Sequence, residues 1–475
     1  MKIYNTISRQ KETLKTLVPG EVKIYACGPT VYNYIHIGNA RPMCVFDVLR
    51  RYLEYKKYKV YFMQNFTDID DKIINKAIEN NIDFSSVSEK FIKEYKIDAD
   101  GLNIKKPTYE PRATENIEHI IKIVSGLIDK DFAYPKNGDV FFRVNKYKDY
   151  GCLSQMPMED LEAGARIEVN SQKESPLDFV LWKAAKPNEP SWESPWGAGR
   201  PGWHIECTAM INKVFGSTID IHCGGKDLIF PHHENEIAQS TCFTGKPYVN
   251  YWMHNGYINV DNKKMSKSTG NFFTVRDVAK EFGYEAIRFM MLQVHYRSPI
   301  NYSYDVIKQC ILALSRIKNC KNNLELAIKN NSEKNINISE ENNEIYNKIQ
   351  KLEDLKLSFI KAMDDDLNTA DAISVIFELV TEINTNIINQ NNISKKYLLS
   401  AQQIFSELTG ILGILYDNPD NQIKIDPEIK DLAEQRQKAR QEKNFALADK
   451  IRDEIVSRGF ILEDTPSGVV IKKNK

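Results

Sequence analysis

Residues 22–42 read VKIYACGPTVYNYIHIGNARP, and this stretch decides the fold expected for the chain. Its first part, Val22–Cys27, is a short apolar run that predicts a β-strand. Gly28–Thr30, with its glycine and proline, predicts a turn directly after that strand. Asn39 is a residue type that caps helices, and Pro42 would then lie in the first helical turn, where proline is tolerated. The stretch therefore predicts a strand, a turn and the start of a helix.

The residues that follow complete a strand–helix–strand unit. Apolar side chains at helical spacing predict one buried helix face, formed by Phe46, Leu49 and Leu53. Tyr58–Phe66 predicts a second strand, so residues 22–66 should form a parallel βαβ unit with a right-handed crossover. In such a unit the turn after the first strand lies at the carboxyl edge of the sheet, where ligands bind, and the helix N-terminus favours a phosphate group.

The composition is that of an ordinary globular chain. Its 475 residues are enough for about two to four domains, and the 64 basic and 64 acidic residues cancel, so any nucleic-acid surface must be a local patch. Eight cysteines are scattered without a CxxC pair, and the polar segment Met1–Leu17 lacks the apolar core of a signal peptide. We therefore expect free or metal-bound thiols in a reducing cytoplasm, and no membrane span.

A second stretch, residues 200–236, concentrates groups that bind metals. Cys207 offers a soft sulfur ligand, and His232 and Glu236 are four residues apart. If Pro231 opens a helix, these two side chains share one face of it. A thiol, an imidazole and a carboxylate within one segment suit zinc better than magnesium or calcium.

The spacing also distinguishes the two neighbouring histidines. His233 meets only Ile237 four residues later, so His232 is the predicted ligand. Cys27 ends the first strand and, in a doubly wound sheet, is placed to face the loop that carries Cys207; otherwise it is a buried strand cysteine. The competing interpretation of the whole segment is a polar helix start beside a core cysteine.

The middle of the chain predicts an insertion and then a basic loop. Within the insertion, Ala113–Leu127 has helical spacing, and Asn137–Gly138 between apolar runs is typical of a hairpin. The sheet domain should resume near Trp203 and include the strand-rich run Tyr248–Val260. The Lys/Ser/Gly stretch Asp261–Asn271 is either a solvated loop or a mobile loop that brings cations to a polyphosphate.

The C-terminal part is expected to be helical from Tyr304 to about Leu415, with a helix cap at Asn368 or Thr369. Its other predicted features are Asn-rich exposed connections or frayed ends at 321–343 and 384–392, a linker at Asp417–Asp426, a charged helix at Asp431–Arg458 with Gly459 as its cap, and a turn at Gly468.

Two motifs resemble those of class I aminoacyl-tRNA synthetases. His36–Asn39 resembles the HIGH motif, and Lys264–Ser268 matches the KMSKS motif at every position. A given pentapeptide arises by chance about once per million positions, so the second match is specific. Within this class the chain resembles the cysteinyl-tRNA synthetase family over essentially its whole length, most clearly at Gly28–Tyr32, Arg200–Cys207, Phe230–Glu236, Met363–Thr369 and Leu462–Pro466.

The resemblance implies an enzyme that joins L-cysteine to tRNA(Cys) with ATP, through a cysteinyl-adenylate. It implies one Zn²⁺ per chain that selects the substrate thiolate, and Mg²⁺ bound with ATP. The implied zinc ligands are Cys27, Cys207, His232 and Glu236. The implied catalytic residues are His36, Asn39, Lys264 and Lys267, and the implied ATP-binding residues are Thr30, His36, Gly38, Asn39 and Lys267. The expected amino-acid pocket residues are Trp203 (with core packing as its alternative), His204 and His222.

The implied fold is a Rossmann-like α/β catalytic domain with a parallel sheet and an insertion, followed by an α-helical bundle and a small C-terminal α+β domain. The expected domains are the first catalytic half (1–104), the insertion (105–199), the second catalytic half with the zinc site (200–260), the KMSKS and stem-contact region (261–309), the anticodon-stem bundle (310–416) and the anticodon-binding domain (427–475). A monomer in the cytoplasm is expected, with no editing domain.

Some positions depart from the family pattern. Asn39 replaces the second histidine of HIGH, so it keeps a donor but cannot be protonated. Cys223 stands where the family has glycine, and its thiol either competes for zinc or packs inward. Val470 and Ile471 stand near the place of a family tryptophan, so base stacking is not expected there.

Contacts with tRNA are predicted less specifically. The acidic run Asp364–Asp366 and Asn368 would either contact base edges or cap a helix. The candidate phosphate contacts, with a solvated helix face as their alternative, are Arg436, Lys438, Arg440, Lys443 and Arg452.

Two rival functions are a ligase that transfers cysteine to a small amine and a catalytically inactive zinc- and RNA-binding homologue. Residues 310–475 argue against the first, because relatives of that kind lack the anticodon-binding tail, and the intact Lys264 and Lys267 argue against the second.

Overall fold

A computed structural model describes residues 1–156, 172–261, 263–264, 273–333, 343–388, 393–416, 427–442, 444–465 and 468–473. The strands are β1 (Lys2–Asn5), β2 (Gln10–Thr13), β3 (Glu21–Ala26), β4 (Lys59–Gln64), β5 (Ala133–Lys136), β6 (Asp139–Phe142), β7 (Phe179–Ala184), β8 (Gly199–Pro201), β9 (Ile219–Gly225), β10 (Val249–Asn255), β11 (Ile258–Val260), β12 (Lys263–Lys264), β13 (Ile300–Tyr302), β14 (Phe460–Thr465) and β15 (Gly468–Lys473). The helices are α1 (Ile37–Tyr55), α2 (Asp71–Asn80), α3 (Phe84–Gly101), α4 (Ile117–Asp129), α5 (Trp203–Phe215), α6 (Glu234–Thr244), α7 (Val275–Phe282), α8 (Tyr284–Leu292), α9 (Tyr304–Glu333), α10 (Asn343–Asp364), α11 (Thr369–Ile388), α12 (Lys395–Leu412), α13 (Pro427–Gln441) and α14 (Phe445–Ser457).

A four-stranded parallel sheet, in the order β10-β9-β3-β4, forms the core of the α/β part. β3 ends at Ala26 opposite Cys223 of β9, and β9 ends at Gly225 opposite Asn255 of β10. Because all four strands run in the same direction, their carboxyl ends meet at one edge, which is where ligands bind in sheets of this type.

The predicted βαβ unit is confirmed, since β3, α1 and β4 follow one another and the two strands pair in parallel. The expectation that Asn39 precedes the helix is wrong. The helix begins at Ile37, and the side-chain oxygen of Asn39 accepts the backbone N–H of His36 at 3.1 Å. An amide at the third helical position can reach back in this way to a donor that the helix leaves unpaired. Asn39 therefore closes the first turn from inside the helix.

The insertion is built around its own antiparallel sheet, in the order β5-β6-β7-β8. The predicted hairpin is confirmed: Asn137 and Gly138 lie between β5 and β6 and have φ angles of 55° and 87°. Two successive positive φ angles are what a two-residue type I′ turn requires. The sheet ends with β8, so it continues past residue 199, where the insertion was expected to end.

Helix α5 was not predicted from the sequence. It is buried on more than one side: Ile205 and Ala209 pack into the core of the insertion, while Cys207 and Ile211 pack into the core beside the parallel sheet. A helix that is apolar on several sides lacks the one-sided pattern by which helices are recognised in sequence. Because α5 is buried on several sides, the sequence predicts potential metal ligands in this stretch but does not predict the helix.

A smaller sheet carries the first lysine of the KMSKS motif. In this sheet β11 pairs in parallel with β13 and antiparallel with β12, which places Lys264 opposite Asn259. The backbone of Lys264 is described, but its side chain and residues 265–272, including Lys267, lie outside the described part of the chain.

The chain divides into two compact units: residues 1–315, 354–378 and 407–414 form one, and residues 316–353, 379–406 and 415–475 form the other.

The predicted helical region is confirmed by α9–α12, and Asn368 caps α11 by accepting the N–H of Asp371 at 3.2 Å. The Asn-rich tracts begin as the ends of α9 and α11, which extend to Glu333 and Ile388, while residues 334–342, residues 389–392 and the whole expected linker Asp417–Asp426 lie outside the described residues. Among the helices described, none combines the length and the apolar character that crossing a membrane requires.

The single charged helix expected at Asp431–Arg458 is wrong, because α13 ends at Gln441 and a second helix, α14, begins at Phe445. Asn444 separates them by accepting the N–H of Leu447 at 3.2 Å, as a capping residue does. Gly459 follows α14 with a φ of 83°, in agreement with its predicted role. Gly468 is the first residue of β15 and pairs with Thr465 of β14, so it is a strand residue and the prediction of a turn at this position is wrong.

Candidate metal centre and nucleotide site

Four potential metal ligands meet at the carboxyl edge of the parallel sheet. They are Cys27 directly after β3, Cys207 on α5, His232 in the turn before α6, and Glu236 on α6, and their ligand atoms all lie within 4.8 Å of one another. Nε2 of His232 is 3.5 Å from Sγ of Cys207 and 3.0 Å from Oε1 of Glu236. Sγ of Cys27 is 3.9 Å from the same carboxylate oxygen.

This donor set fits zinc. Two sulfurs, one imidazole nitrogen and one carboxylate oxygen are all zinc ligands, and with bonds of about 2.0–2.3 Å a tetrahedral ion separates its ligand atoms by about 3.3–3.8 Å. The observed separations of 3.0–3.9 Å bracket that range. The sulfur atoms also favour zinc over the oxygen-preferring Mg²⁺ and Ca²⁺.

The local structure around His232 differs from the expectation. α6 begins at Glu234, not at Pro231, and His232 lies in the turn that leads into the helix, in which Phe230 has extended φ and ψ angles of −134° and 133°. His233 nevertheless has helical φ and ψ angles of −70° and −32°, so the residue that joins His232 to α6 is already helical. For this reason the predicted four-residue contact between His232 and Glu236 forms although its structural basis is different.

A second group of donors shares two of these residues: Cys27, His222, His233 and Glu236 also lie within 4.8 Å of one another. The four-residue spacing favours His232 over His233, yet Nε2 of His233 is 3.3 Å from Sγ of Cys27. The other ring nitrogens distinguish the two groups, because a histidine that binds a metal usually donates its second N–H to a partner. Nδ1 of His232 has such a partner in His204, at 3.0 Å, whereas Nδ1 of His222 is buried with no hydrogen-bond partner among the described residues.

The second group is therefore better described as support for the first. Oε2 of Glu236 accepts from Nε2 of His222 at 3.0 Å and from the Tyr248 hydroxyl at 2.9 Å, which leaves Oε1 facing His232 and Cys27. These contacts fix the orientation of the Glu236 carboxylate. Tyr248 was missed by the sequence reasoning, because no local spacing connects it with the predicted ligands.

Behind His233 the hydrogen bonds continue to the protein interior. Nδ1 of His233 is 2.8 Å from Nε2 of His254, and Nδ1 of His254 is 2.7 Å from the Thr6 hydroxyl. Burial lowers the pKa of both histidines, that of His254 to about 3, so both rings are neutral. A series of neutral rings can pass one hydrogen bond to the next, and these hydrogen bonds fix the ring orientation of His233.

The charges of the four ligands are those of a site prepared for a cation. A hydrogen bond from Cys27 is the main cause that lowers the pKa of Cys207 to about 6, while burial raises the pKa of Cys27 itself. Burial opposes ionisation of Glu236, but His222 and His232 lower its pKa to about 2. Burial opposes protonation of His232, but contacts with Cys207 and Glu236 raise its pKa to about 10. Cys207 and Glu236 thus stabilise a proton on His232, and a bound metal ion would replace that proton.

Two of the expected pocket residues adjoin His232. Trp203, at the start of α5, is 40% exposed and stacks on the His232 ring with 4.2 Å between ring centroids. Core packing does not describe this tryptophan, because much of its surface is open to solvent. His204 bonds the back of the same ring, and burial lowers its pKa well below the ordinary value, so it is a neutral acceptor. His222, the third expected pocket residue, is fully buried beside Glu236.

The expected nucleotide-binding residues lie around the turn after β3 and the start of α1. The backbone of Thr30 forms an isolated parallel β-bridge with Thr67, which lies beyond β4. His36 directly precedes α1, and its backbone forms an antiparallel β-bridge with Thr274. Gly38 and Asn39 are in the first helical turn. The amides at this helix start and its dipole favour a phosphate group. The structure thus places Thr30, His36, Gly38 and Asn39 on one connected segment.

Gly28 shapes the turn that connects the candidate metal ligand Cys27 with this segment. Its N–H donates to the Asn65 side chain at 2.8 Å, and a Cβ atom at position 28 would lie 1.6 Å from the Asn65 carbonyl oxygen. Only glycine allows the two chain segments to approach so closely. The sequence reasoning recognised the turn but not this contact.

Cys223 packs inward. It is fully buried on β9, belongs to neither donor group, and burial raises the pKa of its thiol well above the ordinary value. Its carbonyl oxygen accepts the N–H of Cys27 at 3.2 Å, so the residue supports the site through its backbone.

The carboxylates of the acidic run before α11 have partners within their own unit. Asp364 accepts from the Tyr52 hydroxyl at 2.7 Å, and Asp365 pairs with Lys11 at 2.7 Å. Asp366 is fully buried and accepts from the Tyr296 hydroxyl at 2.7 Å. These contacts tie the acidic run to its own unit, and for Asn368 the alternative of a helix cap is correct. In the other unit Arg436 is 6% exposed, which does not suit a surface phosphate contact, while the Lys443 side chain is outside the described residues.

Comparisons with known proteins show which family the chain resembles. Residues 13–311 match the family described as tRNA synthetases class I (C) catalytic domain, and residues 358–416 match the DALR domain. The chain is 53% identical to the cysteine–tRNA ligase of Caldicellulosiruptor saccharolyticus over 475 residues and 53% identical to that of Clostridioides difficile over 473 residues, with complete coverage of both proteins.

Solved structures show the same fold at low sequence identity. A putative arginyl-tRNA synthetase from Campylobacter jejuni has a TM-score of 0.57 at 12% identity, covering 83% of this chain and 93% of its own. The methionyl-tRNA synthetase of Mycobacterium tuberculosis in complex with methionyl-adenylate has a TM-score of 0.57 at 14% identity, covering 82% and 89%. With the full-length match at 53% identity and the match of the catalytic domain, the chain belongs to the cysteine–tRNA ligase family of class I tRNA synthetases.

Proposed function

We propose that this protein joins L-cysteine to tRNA(Cys) in two steps that consume ATP. In the first step cysteine and ATP give cysteinyl-adenylate and pyrophosphate, and in the second the cysteinyl group passes to the terminal ribose of the tRNA. The observation that carries the proposal is the position of the four-donor set at the carboxyl edge of the sheet, with Cys27 at the start of the segment that leads to α1, in a member of the cysteine–tRNA ligase family.

The first step needs no protein nucleophile. A carboxylate oxygen of cysteine attacks the α-phosphate, a new P–O bond forms, and the bond to the leaving pyrophosphate breaks. Catalysis must then come from orientation and from stabilising the charge that develops on the phosphates. His36 and the first-turn residues Gly38 and Asn39 would bind the phosphates at the start of α1, with Thr30 beside them. Lys264 and Lys267 would neutralise the charge that shifts to pyrophosphate.

Selection of cysteine over serine is assigned to the metal centre. Cys27, Cys207, His232 and Glu236 would hold zinc, which when bound supplies a soft Lewis acid that prefers a thiolate to a hydroxyl group. An ordinary pocket discriminates two such isosteric substrates by only about 10²-fold. Trp203 would line the amino-acid side of the site, and His204 and His222 would orient His232 and Glu236 from behind.

Metal ions, oligomeric state and location are also part of the proposal. Mg²⁺ would accompany ATP, one Zn²⁺ would be held per chain, and the protein would act as a monomer in the cytoplasm. For the second step we assign the helices of residues 310–416 and the α/β hairpin unit at the C-terminus to tRNA binding. Intramolecular pairing of the Asp364–Asp366 carboxylates implies that bases are read by other residues.

Cysteine-dependent exchange of labelled pyrophosphate into ATP, followed by charging of tRNA(Cys), tests the proposal. We expect both activities in the zinc-loaded protein, and much weaker exchange with serine. Exchange without tRNA charging but with transfer to small amines would favour the amine ligase instead. Binding of zinc and RNA with no exchange at all would favour an inactive homologue.

A further inference from the structure

Arg41 is a fully buried arginine in the second turn of α1, close to the residues expected to bind ATP. No carboxylate pairs with it in the described part of the chain, and its Nε has no hydrogen-bond partner there. Burial alone lowers its pKa, to about 10, so the side chain still carries its charge at neutral pH. A buried charge without a counter-charge is costly, and it is retained only where its hydrogen bonds are needed.

The guanidinium group holds two backbone turns together. One terminal nitrogen donates to the carbonyl oxygens of Gly256 at 3.2 Å and Tyr257 at 3.0 Å, and the other donates to the carbonyl oxygen of His295 at 3.1 Å. The first turn connects β10 with β11, and the second precedes β13. The rigid fork of arginine suits this task, because it reaches three acceptors from one side chain.

The two turns also contact each other closely. The N–H of Gly256 donates to the Tyr296 carbonyl at 2.8 Å, and a Cβ atom at position 256 would lie 2.6 Å from the Ser298 carbonyl oxygen. Immediately after the first turn β11 begins, and two residues beyond Tyr257 its Asn259 pairs with Lys264. The strand that carries Lys264 is therefore connected, within a few residues, to the side chain of Arg41.

We propose that Arg41 is a positioning residue for adenylate formation, which fixes the strand bearing Lys264 relative to the start of α1. The inference rests on the proposed function. It explains why a costly buried cation lies here: His36 and Asn39 are on the segment that leads into Arg41, and Lys264 is on β12, which pairs with β11 directly after the turn that Arg41 holds. A shift of about 1 Å between groups that act on the same phosphates can cost about 10²-fold in rate.

The test compares Arg41→Lys with Arg288→Lys. Arg288 is also fully buried and donates to the carbonyl oxygens of Leu412 and Leu102, but it holds segments away from β11. For each variant we would measure thermal unfolding, cysteine binding at equilibrium, and kcat and KM(ATP) for cysteine-dependent pyrophosphate exchange. Arg41→Lys should lower kcat by about 10- to 100-fold with cysteine binding within about twofold of the unmodified protein. Arg288→Lys should lose thermal stability while its kcat, measured well below its Tm, stays within about twofold.

Folded Arg41→Lys protein with an unchanged kcat would overturn the inference, as would a loss of cysteine binding equal to the loss of kcat. If Arg41→Lys does not fold, Gly256→Ala decides, because its added methyl group displaces the same junction from the other side. A loss of kcat with intact cysteine binding in that variant supports the role, and an unchanged kcat removes it. Absence of exchange in the unmodified protein would instead contradict the proposed function.

Discussion

Sγ of Cys207 lies 3.5 Å from Nε2 of His232, although one residue is on α5 and the other is in the turn before α6, beyond strand β9. Glu236 and Cys27 complete the set of potential ligands, and Cys27 lies close to the N-terminus of the sequence. The site therefore exists only when the parallel sheet is assembled. Removal of a single ligand should then affect metal binding and substrate selection together.

Cys207→Ser tests this coupling. Serine preserves the size of the side chain but offers zinc a poor ligand, so we expect loss of zinc and weaker cysteine binding together, with discrimination against serine falling to about 10²-fold or less. Zinc content by atomic emission and cysteine and serine dependence of pyrophosphate exchange would measure both effects. The matched control is Cys223→Ala, which should keep its zinc because Cys223 belongs to neither donor group. Retained metal and normal selectivity in Cys207→Ser would refute the assignment.

His204→Phe tests the support behind His232. Phenylalanine keeps an aromatic ring but removes the nitrogen 3.0 Å from Nδ1 of His232. Losing such a partner typically weakens metal affinity by about 10- to 100-fold, and we expect a loss of that size in competition with a chelator. His119→Phe, at a half-buried histidine on α4, should leave zinc affinity unchanged. Equal affinities for all three proteins would show that His204 has no part in holding the metal.

His36→Ala and Lys267→Ala test the assignment of the ATP-binding residues. Both groups are expected to act on phosphates and not on the substrate side chain, so each variant should lower adenylate formation by about 10²-fold or more while cysteine binding changes little. Pyrophosphate exchange measures the first property and equilibrium binding of cysteine the second. Unchanged exchange in both variants would remove these two residues from the mechanism.

Asp47→Asn tests a buried ion pair that stabilises the catalytic unit. Oδ2 of Asp47 is 2.5 Å from Nη2 of Arg288 and 2.7 Å from Nε of Arg51, with Asp47 and Arg288 almost fully buried. Burial alone would raise the pKa of Asp47, but the two arginines lower it below the ordinary value. Removing the charge leaves Arg288 buried and unpaired, so we expect a loss of about 3–5 kcal/mol in the free energy of unfolding.

The same pair predicts a pH dependence with a defined sign. Because the pKa of Asp47 is lowered on folding, its contribution to stability is present above its unfolded-state pKa of about 3.9 and is lost as the pH falls through its lower folded-state value. Urea unfolding should therefore show the largest difference between the unmodified protein and Asp47→Asn near neutral pH, and a smaller one at acid pH. A difference independent of pH would contradict this account.

Local patterns were sufficient for much of the fold. The βαβ unit, the Asn137–Gly138 hairpin and the cap at Asn368 follow from apolar spacing and from backbone preferences of single residues, which act over a few positions. Helix α5 could not be predicted in this way because it is buried on several sides and lacks a one-sided apolar pattern. The break at Asn444 could not be predicted because the charged residues before and after it have similar helix preferences.

The sequence by itself determined which residues could bind a soft metal and that His232 and Glu236 would meet, since that contact is only four positions long. The tertiary structure alone decided that Cys27 joins them, that His204, His222 and Tyr248 contact them, and that Arg41 donates to the turn before β11. The physical reason is distance along the chain: contacts between residues tens to hundreds of positions apart depend on how the strands of the sheet are ordered, and no local spacing encodes that order.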